Sequence, residues 1–194
     1  MRCTIVAATV IQRDLVERAR TGDHDAFAAL AGAAVVRLDA AARLILRDRE
    51  LARDAVQDAL VRAWRDLPGL RDPDRFDAWL HRLTVHACLD QVRRRRRRPI
   101  EIELASIAVG ATADETQSLA DRDELDRAMA RLEPEHRAVV VLHYYLGLPL
   151  PAAAATLGIP LGTAKSRLHR AIAALRQVLE PDARDPDLEG GRLA

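Results

Sequence analysis

Small polar and cationic side chains near the carboxyl-terminal end follow a spacing that suits nucleic-acid recognition. If residues 161–179 form a helix, four of these side chains share one face at the spacing i, i+3, i+4 and i+7: Thr163, Ser166, Arg167 and Arg170. Lys165 and His169 lie beside that face. Hydroxyl groups near the start of such a helix and guanidinium groups further along suit base edges in the DNA major groove and the flanking phosphates. The pattern predicts noncovalent DNA binding, although an ordinary solvated face of a helical pair has the same spacing.

A run of six arginines, Arg93 to Arg98, is the second candidate for binding a polyanion. On a helix these like charges repel one another at i, i+3 and i+4, so the helix is unfavourable there unless anions neutralise it. DNA phosphate would do so, with a salt slope of about −0.9 for each neutralised phosphate. The alternative is a solvated basic helix end.

A polar face upstream suits a protein partner better than catalysis. Its members, at helical spacing, are Asp54, Gln57, Asp58 and Arg62. Paired carboxylates can act as a general acid and base or bind a metal ion. No histidine or cysteine lies at metal-ligand spacing from these carboxylates. His86 and Cys88 lie two positions apart, but two candidate ligands do not make a zinc site. Phosphate-loop and hydrolase motifs are missing too. We therefore expect no catalytic residue, no metal and no cofactor, and a protein that is not an enzyme.

Composition and charge limit the class of protein. The chain has 194 residues, of which 49% are hydrophobic and 30% charged, which is enough apolar material for a packed core. The net charge is only +1, yet residues 1–98 carry +6, residues 99–135 carry −7, residues 136–180 carry +4 and residues 181–194 carry −2. Two basic blocks around an acidic one indicate two surfaces for a polyanion. No apolar run approaches the roughly 18 to 20 residues that span a bilayer, so we expect a cytoplasmic protein with no direct membrane insertion.

The elements that must position these residues are helical nearly throughout. Apolar residues recur at helical spacing from Leu51 to Leu67, where Pro68-Gly69 ends the pattern, and again from Phe76 to the arginine run. Further along, helices over 151–157 and 161–179 are joined by Gly158-Ile159-Pro160, which is helix-turn-helix spacing. We predict an all-α fold of two small helical domains, residues 1–98 and 119–180, with a flexible acidic linker over 99–118 and a disordered acidic tail over 181–194.

Two sets of motifs resemble a known family, the extracytoplasmic-function (ECF) sigma factors of bacterial RNA polymerase. The strings DAVQDALVRAW (54–64), FDAWL (76–80) and DQVR (90–93) resemble the family's region two. The strings LEPEHR (132–137), LGI (157–159) and GTAKSRLHRA (162–171) resemble its region four. Both sets occur in the family's order and at its linker distance.

The resemblance implies partners and roles. Region two would dock on the clamp helices of the largest polymerase subunit through the polar face of Asp54, Gln57, Asp58 and Arg62. The residues expected to receive the minus-ten promoter element as the duplex opens are Arg75, Arg82, His86, Arg93 and Arg94. Region four would meet the polymerase flap and place the face of Thr163, Lys165, Ser166, Arg167, His169 and Arg170 on the minus-thirty-five element. The linker would thread toward the RNA exit path, and an anti-sigma factor would hold the protein inactive.

Several positions depart from the family's pattern. His86 stands where an asparagine is usual, Pro149 and Pro160 replace helix-capping serines, and Pro151-Ala152 replaces an acidic pair. A capping side chain stabilises a helix by about 1 kcal/mol, and proline starts a helix without supplying a hydroxyl. We therefore expect weaker or altered minus-thirty-five binding by the isolated region four.

Two other classes of function also fit the residues. A stand-alone helix-turn-helix regulator would bind a palindromic operator as a homodimer, with half-sites about 10 bp apart. A helical protein that sequesters a regulator without touching DNA would bind its partner with little dependence on salt, unlike a phosphate-binding protein.

Overall fold

The computed structural model describes residues 2–97 and 124–179, and every regular element in these ranges is helical. The helices are α1 (Arg2–Arg20), α2 (His24–Leu46), α3 (Arg49–Asp66), α4 (Phe76–Arg97), α5 (124–130), α6 (Pro134–Val140), α7 (Leu150–Leu157) and α8 (Leu161–Leu179). The all-α prediction is confirmed. The linker predicted over 99–118 and the tail predicted over 181–194 lie outside the described residues.

Local signals in the chain set the starts and ends of the first helices. The Asp23 side chain accepts a hydrogen bond from the Ala26 backbone N–H, and Asp48 accepts one from Leu51, so each aspartate caps the helix that follows it. Arg47 ends α2 in the left-handed conformation, with φ of 56°. These signals permit the sharp reversal between α2 and α3.

Small residues allow α3 to lie close to its neighbours. Its fully buried positions are Ala52, Ala55, Ala59 and Ala63, and α3 packs against both α2 and α4. Helix separation depends on the side chains at the contact, so an alanine stripe brings the three backbones together. After α3, short 3₁₀ turns over Leu67–Gly69 and Pro73–Arg75 lead the chain into α4.

Helix α1 was not predicted from the sequence. It packs on α2 and buries Val16 and Ala19. Its outer surface is tied to the segment before and at the start of α4 by hydrogen bonds from Gln12 to Asp77, at 2.8 Å, and from Arg13 to Asp74, at 3.3 Å.

The second group of helices forms a helix-turn-helix. Pro134 opens α6, which continues into a π-helical turn over Val141–Tyr145, and Gly147, with φ of 70°, turns the chain toward α7. Gly158 then separates α7 from α8. The spacing of α8 predicts four core positions, Ala164, Leu168, Ile172 and Leu175. The structure buries Ala164 and Leu168 together with Ala171, and it leaves Ile172 and Leu175 half-buried.

The hydrophobic core is continuous across both groups of helices. One cluster of buried side chains contains Ile45 and Val85 from the first group together with Met129 and Leu142 from the second. Helices α2 and α4 contact α6, and α4 also contacts α7. Among the described residues, no helix combines the length and apolar character needed to cross a membrane.

Candidate protein and nucleic-acid interfaces

The polar face of α3 is only partly free. Asp54 and Gln57 are exposed. Asp58 lies 3.7 Å from the Arg94 guanidinium and Arg62 lies 3.4 Å from the Asp90 carboxylate, so both residues pair with α4. The structure therefore brings part of the predicted protein-docking set against part of the predicted DNA-binding set.

An apolar groove between α2 and α3 borders this polar face and was not identified from the sequence. Its apolar lining includes Phe27, Val36, Leu60, Val61 and Trp64, and Gln57 lies on it as well. Val36 is 77% exposed and Val61 is 62% exposed. Clustered exposed apolar side chains mark protein-binding surfaces. The signal available in the sequence was a pair of valines that do not belong to the core stripe of either helix.

The predicted minus-ten residues lie along α4 and at its entrance. Arg75 sits in the second 3₁₀ turn, where its guanidinium is 3.2 Å from Asp72 and its side chain is 81% exposed. Arg82 is exposed on α4. His86 is half-buried, and its Nε2 lies 2.7 Å from the backbone carbonyl oxygen of Thr156 in α7. Since a carbonyl can only accept, Nε2 carries the hydrogen in this contact.

The arginine run continues α4 through Arg97, and protein carboxylates lie beside four of its members. The ion pairs are Arg93 with Asp90 at 3.1 Å, Arg94 with Asp58 at 3.7 Å, Arg95 with Asp48 at 3.4 Å, and Arg96 with Glu133 and Glu135, both at 2.9 Å. The sequence alone pointed to DNA phosphate as the neutralising anion, whereas in the folded chain carboxylates already do this. Exposed ion pairs contribute only about 0 to 1 kcal/mol each, so phosphates could replace them.

The predicted minus-thirty-five face lies on α8 as the spacing indicated. Its members Lys165, Ser166, His169 and Arg170 are exposed, while Thr163 and Arg167 are half-buried. The Ser166 hydroxyl donates to the Thr163 carbonyl oxygen at 3.0 Å, so this hydroxyl is engaged by its own helix.

Negative charge lies close to this face. Burial of Glu135 opposes its ionisation, but the backbone N–H of Glu135 and the guanidinium groups of Arg96 and Arg167 outweigh that effect and lower the pKa of Glu135. The charged Glu135 carboxylate therefore pairs with Arg96 and also lies within electrostatic reach of Arg167.

Pro149 and Pro160 contribute to the starts of α7 and α8 through their backbone carbonyl groups. Pro149 precedes α7 without a side-chain cap, and its carbonyl oxygen accepts from the Ala153 N–H at 3.0 Å. The Pro160 carbonyl oxygen accepts in the same way from Ala164 at 3.1 Å. Both helices therefore start without the hydroxyl cap that serine would supply.

In the described part of the chain, no group of three or more histidine, cysteine, aspartate or glutamate side chains is placed to hold a metal ion. Cys88 is a free, buried cysteine, and burial raises the pKa of its thiol to about 12. His86 and Cys88 are therefore held in separate surroundings, one against α7 and the other in the core.

Comparison with known proteins gives matches over both groups of helices. Residues 34–98 match the family described as Sigma-70 region 2, and residues 122–175 match the one described as Sigma-70, region 4. The ECF RNA polymerase sigma factor SigM of Mycobacterium tuberculosis is 38% identical over 159 residues, which cover 81% of this chain and 79% of that protein.

Two solved structures are similar in fold over most of the chain. The structure of CnrH in complex with the cytosolic domain of CnrY has a TM-score of 0.64 and 29% identity, and the match covers 89% of this chain and 99% of that one. The sigma factor RpoE in complex with the anti-sigma factor NepR from Bartonella quintana has a TM-score of 0.62 and 25% identity, covering 78% and 96%.

Proposed function

Since the chain belongs to the ECF sigma factors of bacterial RNA polymerase and serves transcription initiation, we propose that its two regions divide polymerase and promoter binding between them. Region two, residues 1–98, would hold core polymerase and the minus-ten element, and region four, residues 119–180, would hold the minus-thirty-five element, with residues 99–118 as linker. The observation that carries this division is that both sigma regions match in order on one chain. For the same reason a stand-alone helix-turn-helix regulator is not favoured.

The docking surface for core polymerase is the exposed side of α3 together with the groove beside it. Asp54 and Gln57 offer exposed polar groups, and the Asp58 carboxylate, 45% exposed beside Arg94, lies on the same face. Val36 and Val61 offer exposed apolar area, whose burial would favour binding. An apolar centre with a charged rim is the usual anatomy of a protein interface. The clamp helices of the largest polymerase subunit would supply the complementary apolar and cationic side chains.

The minus-ten surface is the side of α4 that carries Arg82 and His86, with Arg75 at its entrance. Arg93 and Arg94 would bind the phosphates that flank the melted bases. Extruding a base costs a few kcal/mol, and contacts with these residues together with polymerase would offset that cost.

The minus-thirty-five surface is the exposed face of α8. Lys165 and Arg170 are free to meet phosphates and base edges in the major groove, whereas Thr163 and Arg167 are half-buried. Because the helices around the turn have no hydroxyl caps, region four by itself should bind weakly and depend on polymerase, including its flap, for position.

The protein we propose is a cytoplasmic specificity subunit that performs no covalent chemistry of its own. RpoE of Bartonella quintana is in complex with an anti-sigma factor. We infer that this chain also has an anti-sigma partner, and the exposed apolar groove between α2 and α3 supports such binding.

A charge reversal at Asp58 tests the docking assignment. Like charges facing one another across an interface cost several kcal/mol, so Asp58→Arg should weaken binding to core polymerase by at least about tenfold, or about 1.4 kcal/mol. Binding of the same variant to promoter DNA should change less. The measurements are anisotropy titrations of the labelled full chain with core polymerase and with DNA, followed by transcription from the protein's own promoters.

Asp14→Arg is the matched control, because it makes the same charge change at an exposed site on α1. Unaltered core binding by Asp58→Arg would reject the docking surface. An equal loss in both variants would mean that net charge alone governs the affinity.

A further inference from the structure

The helix that carries the proposed minus-thirty-five surface begins with an apolar residue that the protein does not bury. Leu161 is the first residue of α8 and is 39% exposed. Within the described part of the chain, Leu161 belongs neither to the buried core nor to the half-buried side chains that pack against that core. Packing inside the protein therefore does not account for a leucine at this position.

The turn that leads into α8 is also held without the Leu161 side chain. The Ile159 N–H donates to the Ala154 carbonyl oxygen, and the Ala164 N–H donates to the Pro160 carbonyl oxygen, both at 3.1 Å. Ile159 is half-buried. Since these contacts fix the backbone on both sides of Leu161, its side chain is available to a partner outside the chain.

Helix geometry sets the direction in which the Leu161 side chain points. The Cα–Cβ bonds of an α-helix tilt toward its amino terminus, and a long side chain covers the turn before its own Cα. No turn of α8 precedes Leu161, so its side chain extends past the start of the helix. A Cβ added to the adjacent Gly162 would meet no atom within 4 Å, which shows that the space beside Leu161 is open.

This end of α8 is the part of a helix-turn-helix that meets base edges. A recognition helix lies in the major groove with its amino-terminal residues against the bases. The structure describes all of the first two turns of α8, residues 161–168, and the only exposed apolar side chain in them is that of Leu161. The other exposed side chains of these two turns, Lys165 and Ser166, are polar.

The chemistry of the base edges decides what a leucine can recognise there. Thymine is the base that presents a methyl group in the major groove, whereas guanine, adenine and cytosine present hydrogen-bonding groups. A leucine side chain cannot hydrogen-bond, and polar groups that it covered would lose their partners. Contact with a thymine methyl group removes apolar surface of both molecules from water. Leu161 therefore suits thymine.

We propose that Leu161 determines specificity in region four by reading the methyl group of a thymine in the minus-thirty-five element. The inference rests on the proposed placement of α8 on that element, and it adds the base and the atom that one residue reads. Burial of one methyl group should strengthen binding by about fourfold.

The test shortens the side chain and the base separately and together. Polymerase carrying the full chain is titrated at one salt concentration with duplexes of a promoter mapped from its own transcripts. Each duplex has uracil in place of one thymine of the minus-thirty-five element, on either strand, so that only a methyl group is lost. For the wild-type protein, uracil should weaken binding by about fourfold at one position.

Leu161→Ala removes the side chain beyond Cβ. This variant should bind the thymine duplex about fourfold more weakly than the wild type does, and it should bind the thymine and uracil duplexes equally well. The two changes are then not additive, as expected for groups in contact. Because Leu161 lies outside the core and alanine favours helix, the circular dichroism spectrum should be unchanged.

Leu179→Ala is the matched control. It makes the same truncation at the last residue of α8, where the leucine is 38% exposed. This variant should keep the fourfold preference of the wild type for thymine over uracil.

The outcomes separate the role of Leu161 from the proposed function. An equal preference for thymine in the wild type and Leu161→Ala at every position would overturn the proposal. Equal weakening of both duplexes by Leu161→Ala would also overturn it, since the leucine would then serve polymerase or another part of the DNA. If scrambling the whole minus-thirty-five element left wild-type binding unchanged, the placement of α8 on that element would fail too. Sensitivity to scrambling without coupling to a methyl group would reject the role of Leu161 alone.

Discussion

Gly158 sets the angle between α7 and α8, and replacing it by alanine should destabilise the helix-turn-helix. Its φ of 65° and ψ of 33° lie in the left-handed region. The Gly158 N–H donates to Ala155 and the Ile159 N–H donates to Ala154, which are the two bonds of a Schellman motif. The fold thus requires at this position the backbone conformation that glycine adopts most readily.

The cost follows from conformation alone. A Cβ added to Gly158 would meet no atom within 4 Å, so no steric clash contributes. A non-glycine residue in the left-handed region costs roughly 1 to 2 kcal/mol. Alanine also restricts the unfolded chain, which returns about 0.4 to 1 kcal/mol. We expect Gly158→Ala to lower the free energy of unfolding by about 1 kcal/mol.

Gly162→Ala is the control with the opposite sign. Gly162 lies in the first turn of α8, and an added Cβ there also meets nothing within 4 Å. Because its conformation is helical, alanine should raise the free energy of unfolding by about 0.5 kcal/mol.

The assay is urea unfolding of the full chain, followed by far-ultraviolet circular dichroism, together with amide hydrogen exchange in α7 and α8. With a denaturant slope of about 2 kcal/mol per molar, the midpoint should fall by about 0.5 M in Gly158→Ala and rise in Gly162→Ala. Shifts in the same direction, or a neutral Gly158→Ala, would refute the assignment of the turn to the glycine backbone.

Two further predictions concern base reading and the buried thiol. Arg170→Ala should cost about 1 to 3 kcal/mol in promoter binding by the polymerase complex and relax selectivity at one minus-thirty-five position; an unchanged promoter profile in selection and sequencing would count against it. In a Cys3→Ser background, Cys88 should react with a thiol reagent at pH 8 only as fast as the protein unfolds, because burial raises the pKa of this thiol to about 12. The folded state favours the neutral Cys88 thiol, and this preference stabilises the folded protein. The stabilisation is complete at pH values below the pKa of the thiol in the unfolded chain, about 8.5. It is lost as the pH rises toward the folded-state pKa of about 12. Rapid labelling of the folded protein would show that the thiol is accessible.

Helices with strong periodicity were predictable from the sequence, and α3 and α8 are examples. In α3 the stripe positions Ala55, Val56, Ala59 and Ala63 are buried, whereas Leu51, Leu60 and Trp64 are half-buried. The helix gives way to a 3₁₀ turn at Pro68-Gly69, where the pattern ends. Helix α8 buries Ala164 and Leu168 and exposes Lys165 and Arg170, as its spacing indicated. The roles assigned to the exposed residues stay predictions.

Helix α1 and the groove between α2 and α3 depend on how helices pack against one another, which the periodicity of a single segment does not reveal. Helix α1 buries only Val16 and Ala19 among its described side chains, which is too short a stripe to identify in an arginine-rich segment. The groove between α2 and α3 is lined from both helices, and it includes Phe27 and Trp64, whose ring centroids lie 5.1 Å apart.

The amino-acid sequence by itself determined the strongly periodic helices, the breaks at Pro68-Gly69 and Gly158, the alternation of charge along the chain, and the family. These properties depend on residues within a few positions of one another, where helix geometry sets the distances. Only the tertiary structure decided which charges meet. Arg96 finds Glu133 across 37 positions of sequence, and Arg137 finds the Ile45 carbonyl across 92. Those pairings depend on how the helices pack, since a guanidinium can bind any acceptor that packing brings within reach.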